Sequence, residues 1–270
     1  MNKNYKLLAS IIVSNFNKAI YLKKCLDSCI NQDYRNIEII VCDDYSTDNS
    51  IDILRKYKKI IIIRNKCKKL LSSANNQINC LKQAFLKSKG DIVFLLDSDD
   101  YFEKTKVTKI MNYFINNPRL NFLQDKAYLV SKCERKKLFL KKNSIFSPWP
   151  QFYSTSTMSF RRSYLNYLFN KVITKLFSFV EIDTQIFFYH YFKNSNCYKL
   201  LSSFLTNYRK DSYGIMSGFS KFSFNWWERR LYVYKFLFFL HKKSNFISKN
   251  QSIGYNLCKL IVNLKKITNS

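Results

Sequence analysis

The chain has 270 residues, with 46 basic against 18 acidic side chains and a formal charge of +28. That length allows one large domain or a domain with an appendage, and 47% hydrophobic residues with only 4 Gly and 3 Pro exclude low-complexity linkers. The charge points to a polyanionic partner (nucleic acid, an acidic membrane surface or a phosphate-bearing substrate), or else to a lysine bias spread over every surface.

Eight cysteines occur without a C-x-x-C pair, so neither a zinc pattern nor a secreted disulfide framework stands out. Reduced, mostly buried thiols in a cytosolic protein are expected. Met1 to Lys6 is polar and Leu7 to Val13 is too short for a signal peptide. No stretch reaches the ~18 uncharged apolar residues of a membrane span.

Leu8 to Val13 reads as a buried strand, broken by the polar turn Ser14-Asn15-Phe16-Asn17. Lys18 to Gln32 has apolar residues at helical spacing. Ile37 to Cys42 is a second strand and ends in Asp43-Asp44. Ser46, Thr47 and Asp48 can cap the helix that follows through Tyr57. Ile60 to Ile63 is a third strand, with a basic loop after it (Arg64, Lys66, Lys68, Lys69). Ser73 to Lys87 reads as a helix, and Ile92 to Leu96 as a strand ending in Asp97, Asp99 and Asp100. Alternating strands and helices with short links imply a parallel sheet. Both acid groups then line one sheet edge, where ligands of open α/β sheets bind. Three clustered carboxylates repel one another, and a hard cation such as Mg²⁺ or Mn²⁺ relieves that repulsion. The alternative is a solvated acidic turn leading into a helix.

Three segments carry a family resemblance. They are Ser10 to Asn17, the run Glu38 to Ser50 containing Asp43-Asp44-Tyr45-Ser46-Thr47-Asp48, and Lys89 to Asp100 ending Leu96-Asp97-Ser98-Asp99-Asp100. Their order and separation resemble the inverting nucleotide-sugar glycosyltransferases of the GT-A fold, family 2 type. Two departures stand out: Tyr45 sits where the family usually has Gly, and Ala74-Asn75-Asn76 where many members read Ala-Arg-Asn.

In the second half, Lys104 to Asn116 is a predicted helix and Leu120 to Val130 a strand. Lys136 to Lys142 is a basic stretch, read as a strand with a charged flank or as an edge that meets acidic lipid. Ser147-Pro148-Trp149-Pro150 cannot be helix interior. Ser154 to Ser163 resembles the family's Thr-Ser-x-x-x-Phe-Arg-Arg segment beside the acceptor pocket. Trp149 either stacks on a sugar or plugs the core, and Ser154, Thr155 and Ser156 either bind hydroxyls or begin a strand. Glu181 and Asp183 are the only acids between Glu134 and Asp211, in apolar, aromatic surroundings where an acid is costly unless paired or used. The alternative is helix capping. Cys197 to Asn207 is a late strand, and Tyr208-Arg209-Lys210-Asp211 resembles the family's Tyr-Arg-x-His turn, with Asp211 in place of His. His190 and His241 lack any partner pattern. From Lys221 the chain turns aromatic and basic, fitting either a helix in a membrane interface or one packed on the catalytic half. Ile253 to Ile267 reads as a final amphipathic helix.

The resemblance implies an α/β GT-A fold with a mostly parallel sheet flanked by helices and a helical C-terminal extension. Residues 1–215 form the transferase unit (1–102 the nucleotide-sugar half, 103–215 the acceptor half) and 216–270 the extension. It also implies donor contacts at Ser14, Asn17, Asp44, Asp97, Asp99 and Asp100, and Mg²⁺ or Mn²⁺ on Asp99 and Asp97. Trp149, Thr155 and Ser156 lie on the acceptor side. Asp183 is the general base, with Glu181 as fallback. The expected partners are a nucleoside diphosphate sugar and a glycan or lipid-linked acceptor. The expected location is cytoplasmic, peripheral on an anionic inner membrane face. A nucleotidyltransferase would carry a Gly-rich basic loop where Ser14 to Lys18 stands. A nucleic-acid-binding protein would carry a recognition motif, and none is found.

Overall fold

A computed structural model describes residues 7–65, 72–140, 147–149, 151–193, 197–210, 220–241 and 249–268. Ala9–Asn15 (β1) is buried along its whole length. It pairs in parallel with Ile37–Asp43 (β2) on one side and Ile92–Asp97 (β4) on the other, and Ile61–Arg64 (β3) extends β2. The register sets Asn15 opposite Asp43 and Ser14 opposite Asp97, so both acid groups emerge on one edge.

The crossovers are the helices Ala19–Ile30 (α1), Ser50–Arg55 (α2) and Ser73–Lys87 (α3). The two-residue period of β1 sends Ile11 and Val13 into one apolar layer and Ile12 into the other. The first layer also holds Leu22 and Leu26 of α1, and the second Ile78, Leu81 and Phe85 of α3. β3 lies at the sheet edge, and Ile61 and Ile62 are exposed there.

Gly90 opens β4 under a tight constraint. A Cβ there would lie 2.3 Å from Ser10 Oγ and 2.7 Å from Ser10 N. The Gly90 N–H donates to Ser10 Oγ and Glu38 Oε1, so the contact cannot relax without breaking those bonds. Gly90→Ala is therefore expected to cost about 2 kcal/mol, read as a lowered chemical-denaturation midpoint.

The remaining elements are Tyr101–Phe102 (β5), Lys106–Asn116 (α4), Phe122–Val130 (β6), Arg135–Lys137 (β7), Met158–Arg161 (β8), Arg162–Lys171 (α5), Ile182–Lys193 (α6) and Tyr198–Arg209 (β9). β8 is antiparallel to both β4 and β6, β9 runs parallel to β6, and β5 closes the far edge. The full order is β3-β2-β1-β4-β8-β6-β9-β5, with β7 on β6. The basic stretch from Lys136 thus begins in an exposed edge strand, β7.

Phe224–His241 (α7) and Lys249–Thr268 (α8) follow as a helical pair. Of the two readings of the aromatic, basic segment, packing describes α7. Val233, Phe236 and Leu237 are buried against Val180 and Phe188, and Leu231 and Tyr234 against Cys258 and Val262 of α8.

Five of the seven described cysteines are buried, and none of the seven is bridged. Among the described residues, no helix is long and apolar enough to cross a membrane. Met1 to Lys6, Lys66, Lys68, Lys69, Lys142, Pro150 and Asp211, each given a sequence reading above, lie outside the described residues.

Candidate active site

The β2 edge is a hydrogen-bonded cradle. Buried Asp43 accepts from Asn15 Nδ2 (2.8 Å), Ser46 Oγ (2.6 Å) and Ser46 N (3.0 Å), which fixes the loop after β2. Asn17 knits the same loop to β1: its N–H donates to Ser46 Oγ and its Oδ1 accepts from Thr47 N at 2.7 Å. Asp44 accepts from Asn65 Nδ2 at 2.7 Å. Tyr45 adopts φ 57°, a left-handed conformation that glycine enters without strain, which accounts physically for a glycine at this turn. Here a tyrosine bears that strain, with the Arg64 guanidinium 5.4 Å from its ring.

The β4 edge carries the second acid group. Asp97 Oδ1 accepts from Ser14 Oγ (2.8 Å) and Gln77 Nε2 (2.6 Å), and its N–H donates to Ser156 Oγ (3.1 Å). Burial, then repulsion from Asp99, pushes its carboxyl up to about 6. Asp99 pairs with Lys18 at 2.9 Å. Asp100 is buried and accepts from Arg209 N at 2.7 Å, while its Oδ2 has no hydrogen-bond partner. Burial, with Asp99 and Asp97 beside it, holds Asp100 well above the usual carboxylate range. The β9 end seals this edge: Arg209 Nε donates to the Asp99 carbonyl. Tyr208 is held above its ordinary phenol value by burial and by the charges of Asp100, Asp99, Asp183 and Asp97. Those charges belong to the end of β4, the turn after it and the first turn of α6.

Among the described residues, no group of three or more His, Cys, Asp or Glu side chains is gathered as a closed metal site. The donor set still suits a hard divalent cation in one mode. Mg²⁺-type ions are commonly held by one or two carboxylates together with substrate phosphate oxygens. Asp97 and Asp99 are two such carboxylates, in a cluster whose mutual repulsion a cation would relieve.

The first turn of α6 brings a further acid pair. Asp183 Oδ1 accepts from Thr184 N at 2.7 Å. Burial pushes its carboxyl up to about 7, helped by Glu181 and Asp97 and opposed by Thr184 N and Arg229. Glu181 accepts from Arg229 Nε of α7 at 2.7 Å. The two acids thus have different circumstances: Glu181 is held by a guanidinium, while burial and the neighbouring Glu181 charge bring Asp183 up to about 7.

The other sequence candidates fall around this core. Thr155 and Ser156 are buried in the 3-10 turn Thr155–Thr157, and Ser156 serves the backbone of Asp97. Ser156 is fully buried, with its hydroxyl on the Asp97 N–H. Trp149 packs in the apolar cluster between α6 and α7, with Arg229 at 4.5 Å and Arg230 at 5.4 Å from its ring. Arg161 and Arg162 clamp distant backbone: Arg161 holds the carbonyls of Leu120 and Phe114, and Arg162 binds Ser88 Oγ. His190 is buried, with Tyr164 Oη at 2.7 Å from its Nε2.

Several participants had no sequence signal. Gln77 and Lys18 sit in helix and turn patterns that say nothing of their target. Lys106, the first residue of α4, carries no mark of burial in the sequence. It is fully buried instead, 2.8 Å from Asp125, and donates to Thr206 Oγ1 and the Ser156 carbonyl. Arg229 lies in the extension, and only the pairing of α7 with α6 brings it to Glu181.

The fold and these motifs have known counterparts. Residues 10–169 match Glycosyl transferase family 2. A stretch of 124 residues is 36% identical to the Escherichia coli UDP-Glc:alpha-D-GlcNAc-diphosphoundecaprenol beta-1,3-glucosyltransferase WfaP, covering 45% of this chain and 47% of that protein. The putative teichuronic acid biosynthesis glycosyltransferase TuaG of Bacillus subtilis is 30% identical over 117 residues, 42% of this chain and 44% of its own length. The matched part thus spans just under half of these curated relatives. Among solved structures, Staphylococcus aureus TarS 1-349 in complex with UDP-GlcNAc superposes with a TM-score of 0.63 at 21% identity, over 92% of this chain and 70% of that one. The Pyrobaculum calidifontis mannosyltransferase PcManGT, solved with GDP-Man and Mn²⁺, does so at 0.59 and 14% identity, over 99% and 77%. The α/β sheet with its acid-bearing edge is therefore the GT-A arrangement, and the chain belongs to glycosyl transferase family 2.

Proposed function

We propose that the chain transfers one sugar from a nucleoside diphosphate donor to an acceptor hydroxyl, with inversion at the anomeric carbon and with Mg²⁺ or Mn²⁺ in the site. The observation that carries this reading is the acid group Asp97, Asp99 and Asp100 at the end of a parallel strand, with the raised Asp183 carboxyl electrostatically coupled to Asp97. In this reading Asp44 binds the nucleoside in the cradle built by Asp43, Asn17 and Ser46. Ser14 and Gln77 orient Asp97, while Asp100 and Arg209 hold the turn that presents Asp99. The ion, bound by Asp99 and Asp97, would supply Lewis-acid stabilisation of the diphosphate leaving group. Asp183 accepts the proton of the attacking hydroxyl as the oxygen bonds the anomeric carbon and the bond to diphosphate breaks. One displacement suffices, so no covalent sugar intermediate is required.

The relatives include a UDP-Glc:alpha-D-GlcNAc-diphosphoundecaprenol beta-1,3-glucosyltransferase and a putative teichuronic acid biosynthesis glycosyltransferase. The acceptor is accordingly a growing surface polysaccharide or lipid-linked glycan, reached from the cytoplasmic side of the membrane. Residues 1–215 serve as the transferase unit, and 216–270 as an extension that buttresses the acid pair through Arg229.

Calorimetric titration with nucleoside diphosphates, with and without Mn²⁺, tests the donor half. One nucleotide should bind at least about tenfold more tightly with the metal, and Asp99→Asn should abolish that increment. An Asp99→Asn protein that keeps the full metal-dependent gain would overturn the assignment.

A further inference from the structure

α7 is coated with apolar partners on two sides, and α8 forms the outer layer of that stack. α8 itself has two apolar faces. Gly254, Cys258 and Val262 point inward, the latter two onto α7. Ile253, Leu257, Leu260, Leu264 and Ile267 recur at the spacing of one helical stripe on the opposite side. They are solvent-exposed, from 44% at Leu257 to 71% at Ile267. A five-residue stripe of Ile and Leu left in water forgoes several kilocalories of burial, which marks a surface made for contact.

Charge selects the occupant. α8 contains Lys249, Lys259, Lys265 and Lys266 and no acid, and Glu228 is the only acid after Asp211 in the sequence. A second copy of the chain would set this acid-free helix against itself, with Lys249, one turn before Ile253 on the stripe's own side, left without an acid to pair it. An anionic surface would meet both features at once.

We propose that the outer face of α8 docks on an anionic lipid bilayer, with Ile253, Leu257 and Leu260 entering the acyl boundary and Lys249, Lys259 and Lys266 at the headgroups. This rests on the reading of a lipid-linked or membrane-borne acceptor. It also gives the extension a positioning role. The docked helix lies one helix layer, about 9 Å between axes, from α7, whose Arg229 grips Glu181 beside Asp183. The acceptor side of the site is thereby held at a fixed height over the membrane.

Sedimentation with phosphatidylcholine vesicles, with and without phosphatidylglycerol, tests this on the full chain. Wild type should bind the phosphatidylglycerol vesicles at low salt, at least about tenfold better than neutral ones, and lose that preference at high salt. Leu257→Ser/Leu260→Ser should cut partitioning about a hundredfold, and Lys259→Gln/Lys266→Gln about tenfold with a flatter salt dependence. All four side chains are exposed, so melting temperature and nucleotide affinity should stay at wild-type values. Equal binding of neutral and anionic vesicles would overturn the proposal, as would no binding to either, or Leu257→Ser/Leu260→Ser binding like wild type. A wild-type dimer in sedimentation velocity that the leucine variant dissociates would assign the face to a second copy. Nucleotide affinity is read separately, so failure of the donor reading leaves the vesicle result interpretable.

Discussion

Asp183→Asn is expected to lower kcat by about three orders of magnitude while leaving donor binding within about twofold, because a positioned general base contributes 10²–10⁴-fold and acts only on the acceptor proton. The pH profile gives the sharper test. With Asp183 near 7, kcat/KM should climb with pH up to that point and then level. Glu181→Gln removes the second cause of the upward shift, after burial, and also frees Arg229 to act on Asp183. The acid limb should then move to lower pH, with kcat kept within about tenfold of wild type. Should Glu181→Gln abolish turnover while Asp183→Asn preserves it, the two roles are exchanged.

The same carboxyl makes a stability prediction of definite sign. Its folded-state value lies above that of the unfolded chain, so the folded protein binds the extra proton between the ordinary carboxylate range and about 7. Stability from this group is present at low pH and lost as pH rises through that window. Asp183→Asn should accordingly melt higher than wild type at pH 8, by roughly 2 kcal/mol equivalent, with the difference shrinking toward pH 4. A more active but less stable wild type is what a functional carboxylate in apolar surroundings requires.

How much of this was legible in the sequence depends on the range of the interaction. The strand–helix alternation through Asp97 is a local pattern, and β1, β2, β4 and α3 lie where periodicity placed them. Asp97, Asp99 and Asp100 were visible because short spacing and a preceding buried strand announce them together. Asp183 was visible because an acid is rare in so apolar a stretch. β5 was missed because two residues carry no period, and it exists only by pairing with β9, a hundred residues away in sequence. Ser14 and Asn17 are linked to the donor by resemblance, and the bonds of their side chains to Asp97 and to the Thr47 loop are tertiary contacts that no linear pattern reports. α7 was ambiguous because aromatic residues suit both a lipid interface and a core. Its weak amphipathicity follows from being covered on two sides, and the one-sided stripe belongs to α8.

Lys106→Met is expected to cost about 3–5 kcal/mol, since it leaves Asp125 as an uncompensated charge in the core. Both side chains are 0% exposed. Burial draws the lysine below its ordinary value and lifts the aspartate above its own, so mutual attraction does not fully repay their desolvation. Lys106 also lies 3.9 Å from the Phe102 ring and donates to the carbonyl of Ser156, whose hydroxyl accepts from the Asp97 N–H. A pair that is expensive to bury and aimed at the acid-bearing strand end suggests a positioning role, and a double variant separates that role from stability. Lys106→Met/Asp125→Leu removes both charges and should regain most of the lost stability, as apolar replacement of buried ion pairs commonly does. If Lys106 positions the 3-10 turn of Ser156, metal-dependent nucleotide affinity should stay depressed by about tenfold in the double variant despite its restored melting temperature. Recovery of both together would reduce Lys106 and Asp125 to a packing element with no bearing on the donor site.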